Sequence, residues 1–454
     1  MTRALVDYFK CPEDRVELHV ASPLSQDQGY FTWGDDLVCY GRSGAGSRAK
    51  QAGGGLYDVG ADVSCDGSNA LIPFDPDELI ENLHFEHYSG YLREESRLSN
   101  SVLRQVYYLL RPFLSVPFRK HLQRFYLRGW RDIPFPAWPV DCTADRLQRR
   151  LLSLAMKAQG VETLPFIWFW PEGHSSCAIV THDVEANGGR NLCGALMDVD
   201  ESFGFHSSFQ IVPECRYTVS DALLSSITNR SCELNVHDLS HDGLLYVSHD
   251  EFLRRAELIN KYGRNFGASG FRSGALYRNA DWYGAYDFLY DMSIPNVAHL
   301  DPQRGGCCTV MPYFIGNIVE LPVTSIQDYS LFHVVGDYSI DIWKAQIELI
   351  TANHGLITVL VHPDYVMERR ALSVYRQLLG HLAECRDAQS IWTPLPKEVA
   401  NWWRQRSKMR LEHSKGQWRI EGRGSERARI AYANLSGDDV TYCFEKNCCA
   451  AAYR

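Results

Sequence analysis

A chain of 454 residues, 45% hydrophobic and 22% charged, is long enough for a full hydrophobic core and reads as a globular protein of two or three domains, neither disordered nor fibrous. Its formal net charge of −9 argues against a dedicated nucleic-acid binder, which would carry a basic domain or stripe. The longest apolar run, "LPFIWFW" at 164–170, falls well short of the roughly 18 residues a membrane span needs, so no membrane span is expected.

The opening stretch, "MTRALVDYFKCPEDRVELHV", has no apolar secretory core, and a cytoplasmic location is the expectation. Fourteen cysteines without C-x-x-C spacing, including the vicinal pairs Cys307–Cys308 and Cys448–Cys449, read as small buried hydrophobes rather than a disulfide framework. Residues 1–80 are rich in Gly, Asp and Ser with short apolar alternations such as "GYFTWGDDLVCYG", which predicts a small β-containing segment. Over 81–174 the pattern turns helical. "SVLRQVYYLLRPFL" and "ADRLQRRLLSLAMKA" flank the connector "RDIPFPAWPVD", whose prolines no helix crosses, so this stretch reads as a helical arm.

Residues 175–398 alternate short β-rich runs with helical patterns, the texture of a parallel α/β architecture. The predicted strands are "CAIV", "SSFQIV", "ELNVH", "ASGFR", "NVAHL", "NIVELPV" and "LITVLVH". Ser248-x-x-Glu251 forms a capping box for a helix that closes at Gly263, and "SIDIWKAQIELITANHG" is a helix ending at Gly355, directly before the last strand. Over 399–454, "NWWRQRSK" reads as helix, followed by a small β appendage with a turn at Gly437-Asp438. The basic run from Arg404 to Arg429 reads as a solvated helix and strand edge.

Several predicted strands end in residues able to do chemistry. The first runs into Thr181, His182, Asp183, Val184 and Glu185; the third ends at His237, with His241 four residues on; the fourth ends at Arg272 and the last at His362. In parallel α/β barrels the site sits at the C-terminal face of the strands, where such residues converge. His-x-x-x-His alone is a weak signal, but two imidazoles plus a carboxylate are the usual composition of a catalytic zinc-type site. On a continuing strand Asp183 and Glu185 share a face, so one can bind metal while the other serves as base. Taken singly, each has an ordinary reading: a loop or cap carboxylate, a buried ion-pair partner for Arg272, a packed core histidine for His362. Those readings do not explain why all fall at strand ends of one domain.

These residues resemble the polysaccharide deacetylase superfamily, carbohydrate esterase family 4, over about 175–395. "THDVE", "HDLSH", "FRSGALY", "LYDMSIP" and "LVHP" stand in the order of that family's five motifs. The resemblance implies an α/β fold, a distorted seven-stranded (β/α) barrel, here with an N-terminal mixed α/β extension and a small C-terminal β appendage. It further implies Asp183 as general base, Glu185, His237 and His241 as metal ligands, Arg272 as the residue orienting the base, His362 as general acid and Asp291 as a hydrogen-bonding carboxylate near the Arg or His. Three departures stand out: Glu185 replaces an adjacent Asp and leaves open whether Asp183 is the ligand, "FRSGALY" lacks the Pro after Arg, and His182 replaces a Phe.

The implied function is a metal-dependent deacetylase hydrolysing an N-acetyl amide on a sugar-containing or small cytoplasmic metabolite. Its metal is a divalent ion, Zn²⁺ first, with Co, Mn, Ni or Fe as alternatives. The implied partner is a small-molecule or glycan substrate. Rival readings are a cyclic amidohydrolase of allantoinase type and an inactive barrel that acts as a binding protein.

Overall fold

The structure, a computed structural model, describes residues 3–44, 46, 48–66, 69–90 and 127–445. The helix predicted over 101–114 and the Cys448–Cys449 pair lie outside the described residues. The chain divides into two compact units, one of residues 1–84, 142–174 and 402–454, the other of 85–141 and 175–401. No helix among the described residues is long and apolar enough to cross a membrane, and every described cysteine is a free thiol.

In the first unit, strand Ile430–Ser436 pairs antiparallel with Thr163–Ile167 on one edge and with Asp439–Cys443 on the other, through the expected turn at Gly437. Phe9, Phe166, Phe169 and Tyr442 pack their rings beside this sheet. Arg406 departs from the solvated reading of the basic run: it is buried and donates to the carbonyls of Tyr8, Phe9, Ile167 and Trp168. A guanidinium so placed satisfies carbonyls that would otherwise be orphaned in the core.

The second unit is a mixed α/β body built on a curled, mostly parallel sheet. Its strands are β1 (Ser176–Val184), β2 (Ser207–Ile211), β3 (Glu233–His237), β4 (Gly270–Arg272), β5 (Tyr290–Asp291), β6 (Tyr313–Ile315), β7 (Ile318–Glu320), β8 (Leu356–Val361) and β9 (Ile391–Trp392). Eight of them run in the order β6-β7-β5-β4-β3-β2-β1-β8, with β9 paired to the start of β1. All pairings are parallel except the β6–β7 hairpin, which turns on Gly316 at φ +57°. Helices α1 (Asn187–Ser202), α2 (Asp221–Thr228), α3 (His249–Phe266), α4 (Asp341–Ala352) and α5 (Arg369–Gln389) connect the parallel strands or follow them.

The strand pattern differs from expectation at four places: β5, β6 and β9 form where the sequence pattern predicts no strand, and one predicted strand is missing. Residues 296–300 form no strand, because Asn296 serves as a loop clamp: its amide donates to the carbonyls of Asp141 and Thr309 and its oxygen accepts from Asp141 N. Tyr290–Asp291 takes the position instead, too short to leave a periodic signature. Helix α3 opens on Ser248, whose hydroxyl accepts from Glu251 N at 3.2 Å, and runs past Gly263 to the left-handed Gly267. Its apolar face, Phe252, Ala256 and Ile259, packs with Val236 and Phe271 of the sheet.

A polar chain crosses the sheet near the start of β3. Gly270 N donates to Asn235, Asn235 to the Tyr290 hydroxyl, and that hydroxyl to Glu233 Oε1 at 2.8 Å. A Cβ on Gly270 would fall 2.2 Å from the Tyr290 ring, so only glycine fits there. Burial raises the Glu233 carboxyl from 4.5 to about 7, against the lowering effect of its bonds from Lys397 N and Tyr290. The folded state therefore holds the proton that the unfolded chain releases near 4.5, and stability falls as the pH rises through about 7, by roughly 3 kcal/mol at most. Glu233→Gln is expected to flatten the dependence of Tm on pH between about 5 and 8; a calorimetric profile identical to the parent's would contradict this assignment.

Candidate metal and catalytic site

The C-terminal ends of β1, β3, β4 and β8 carry the polar residues singled out above. Alternation along β1 puts Thr181 and Asp183 on one face and His182 on the other. His182 accordingly turns away from the site, with Nε2 2.7 Å from Asp200 on α1. Arg216 Nε and the Tyr217 hydroxyl donate to the carbonyls of Glu185 and Val184, which holds the exit of β1 in place.

Arg272 is fully buried at the end of β4. One guanidinium nitrogen, Nη1, donates to Asp183 Oδ1 at 2.8 Å and to Thr181 Oγ1 at 2.9 Å, and Nε donates to the Met292 carbonyl at 2.9 Å. Burial pushes the Asp183 carboxyl up, but Arg272, His237 and His362 outweigh it and hold the group below the usual range.

Next to Asp183 lies a set of three donors. His237 Nδ1 lies 3.0 Å from the Arg272 carbonyl, so it carries the proton and Nε2 keeps its lone pair. That Nε2 sits 3.6 Å from Asp183 Oδ2 and 3.7 Å from Glu185 Oε1. His241 Nε2 lies 2.9 Å from the same Glu185 oxygen, outside hydrogen-bonding alignment. Both imidazole Nε2 atoms are buried without a hydrogen-bond partner. Buried orphan nitrogens converging on one carboxylate oxygen are what a cation site requires, and Glu185, His237 and His241 fit a divalent metal. Asp183 Oδ1 is taken by Arg272, which leaves Glu185 the better-placed carboxylate ligand.

Backbone strain aims the second histidine. His241 and Asp238 both hold positive φ, at 51° and 56°, a conformation costly for residues with a Cβ. Gly274, after Arg272, lets the two chains approach: a Cβ there would lie 2.5 Å from Asp238 Oδ2 and 3.0 Å from the His241 ring.

His362 follows β8. Its Nε2 is 3.3 Å from Glu185 Oε1, while Asp328 receives Nδ1 at 2.7 Å and the backbone N–H at 2.8 Å. Burial pulls the imidazole pKa down, but Asp328 and Glu185 outweigh it and raise it well above the ordinary value. Sequence reasoning missed Asp328, which opens a short helical segment 34 residues before its partner with no motif around it. Asp291 is not brought to Arg272 or His362 by any hydrogen bond. Its carboxylate accepts from Ser293 N and Oγ at 2.8 and 2.9 Å and is a neighbour of Glu320, and burial raises both carboxyls. Two acids side by side in a low-dielectric interior cannot both ionise.

Gly274→Ala is expected to displace Asp238 and His241 and to weaken Zn²⁺ or Co²⁺ binding about tenfold or more while leaving the circular-dichroism spectrum intact. Unchanged affinity in a metal titration would show that the glycine does not hold His241 in position.

No family model matches the chain, and no curated protein matches it by sequence. The chain is similar to solved structures of polysaccharide deacetylases and carbohydrate esterase family 4 members. One is a Mycobacterium smegmatis protein assigned as a polysaccharide deacetylase, at 17% identity and TM-score 0.43, with 52% of this chain and 93% of that one covered. Another is Puue allantoinase, at 11% identity and TM-score 0.39, covering 52% of this chain and 92% of that one. A third is peptidoglycan deacetylase PdaC from Bacillus subtilis, at 12% identity and TM-score 0.33, covering 51% and 94%.

Proposed function

We propose that the protein is a metal-dependent hydrolase of carbon–nitrogen bonds other than peptide bonds, a deacetylase that removes the acetyl group from an N-acetylated sugar-containing or small cytoplasmic metabolite. The observation that carries this reading is the flanking of one donor set by a base and an acid. Asp183 approaches Glu185, His237 and His241 from the side of His237, at 3.6 Å, and His362 from the side of Glu185, at 3.3 Å.

Glu185, His237 and His241 would hold a divalent cation, Zn²⁺ first, which would supply Lewis acidity to the amide and lower the pKa of the attacking water. Asp183, kept ionised and oriented by Arg272, takes the proton of that water. His362, protonated and held by Asp328, gives a proton to the departing nitrogen as the carbon–nitrogen bond breaks. The products are acetate and an amine. Buried Thr181 and the Met292 carbonyl hold the guanidinium of Arg272 in place, so the base keeps its geometry through the cycle.

Aromatic rings beside the acid support a sugar substrate. Tyr365 lies 5.2 Å from the His362 ring and Tyr329 lies 5.2 Å from Tyr365, both half-buried, and such faces stack on the apolar side of a pyranose.

Purified protein assayed on N-acetylglucosamine derivatives and on cyclic ureides distinguishes deacetylation from allantoinase-type ring opening. Deacetylation is expected, with a loss of about 10²-fold or more in kcat for Asp183→Asn and on chelation. Activity that survives both treatments would rule the scheme out. Asp328→Asn is expected to lower kcat by about 10- to 100-fold with little change in KM, because the substitution leaves the ring in place without its anionic partner.

A further inference from the structure

A second set of metal-ligating side chains lies at the opposite end of the same strands. β2 and β3 start side by side, with Ser208 in register with Glu233. The residues just before them, His206 and Cys232, therefore emerge at one edge, and α1 delivers Glu201 in its last turn. Gly204, at φ +76°, turns the chain so that His206 comes back beside Glu201. One donor atom from each of Glu201, His206 and Cys232 lies within 4.8 Å of the other two. Cys232 is buried and forms the floor, while Glu201 and His206 are exposed at the rim.

Arg230 organises the carboxylate. Nε and Nη2 fork onto Glu201 at 2.9 and 2.6 Å, and Nη2 also reaches Asp198 at 2.8 Å. Each carboxylate oxygen has two lone pairs, so both Glu201 oxygens, each receiving one bond from Arg230, retain one for a cation. The fork spares Glu201 the rotamer freedom a surface glutamate would lose on coordination.

We propose that Glu201, His206 and Cys232 form a second site for a thiophilic divalent cation of the zinc class, open to water at its fourth position. A thiolate, an imidazole and a carboxylate select Zn²⁺, Co²⁺ or Cd²⁺ over Mg²⁺ or Ca²⁺. Tetrahedral coordination sets donors ~3.3–3.8 Å apart, which small rotations of the exposed His206 and Glu201 reach from the present separation. Cys232 precedes His237 by the length of β3, roughly 16 Å, so the two sites are separate. The bound ion ties the C-terminal end of α1 to the starts of β2 and β3.

Titration of the full chain with Co²⁺ reads the site directly, because a thiolate-to-cobalt charge-transfer band can arise from Cys232 but not from Glu185, His237 and His241. The expected result is two ions per chain with that band present. Cys232→Ser abolishes the band and lowers the stoichiometry to one, without loss of hydrolytic activity, whereas His237→Ala removes the other ion and keeps the band. His206→Ala, a change at an exposed side chain that leaves the core untouched, weakens the band-forming ion at least tenfold. Absence of the band, or a band unchanged in both Cys232→Ser and His206→Ala, overturns the proposal. Neither result bears on the hydrolase reading, because Cys232→Ser and His206→Ala leave its residues in place.

Discussion

Arg272 is the constraint on which the second unit's functional end depends. A guanidinium with no solvent exposure has to find every partner inside the protein, and it finds them on one strand and the exit of another: Thr181 and Asp183 of β1, and the Met292 carbonyl after β5. Its own carbonyl receives His237 Nδ1 and Asp238 N. One residue thus sets the rotamer of the acidic side chain on β1, the tautomer of the imidazole on β3 and the start of the loop that brings His241 back. Leaving a buried charge of this kind without its partner costs about 3–5 kcal/mol, so the arrangement holds together or fails as a unit.

The two faces of β1 serve different purposes through the same alternation. Toward the site it presents Thr181 and Asp183. Toward the helices it presents His182, whose partner Asp200 also receives the Ser207 hydroxyl at 2.8 Å and the Tyr375 hydroxyl at 2.6 Å. A buried carboxylate with three partners fixes α1 and α5 against the strand, which keeps the exit of β1 from shifting. The polar chain through Asn235, Tyr290 and Glu233 does the same at the other end of β3.

Much of the site was legible because its elements are local. β-Branched and apolar runs bounded by polar turns marked β1, β3 and β8, and a residue at the end of a parallel strand has only one end of the sheet to occupy. The placing of His237 and His241 near one another follows from short-range geometry, a strand end and a turn four residues long, whereas their meeting with Glu185 depends on the pairing of β1, β2 and β3. Two-residue β5 escaped detection because a ladder so short has no period, and "NVAHL" imitated a strand because its apolar residues pack in a loop held by Asn296. The Glu201, His206 and Cys232 cluster escaped for a different reason: its residues belong to three elements and share no motif.

The sequence by itself determined which side chains stand at the strand ends and on which face of β1 each lies, since backbone alternation leaves no choice once the strand forms. Only the tertiary structure decided the partners. That Asp328 rather than Asp291 holds His362, that Glu320 shares a buried environment with Asp291, and that Gly274 makes room for His241 are consequences of chain segments meeting across the top of the sheet. Such meetings depend on the curl of the whole sheet and the packing of its helices, a sum over many contacts that no local spacing encodes.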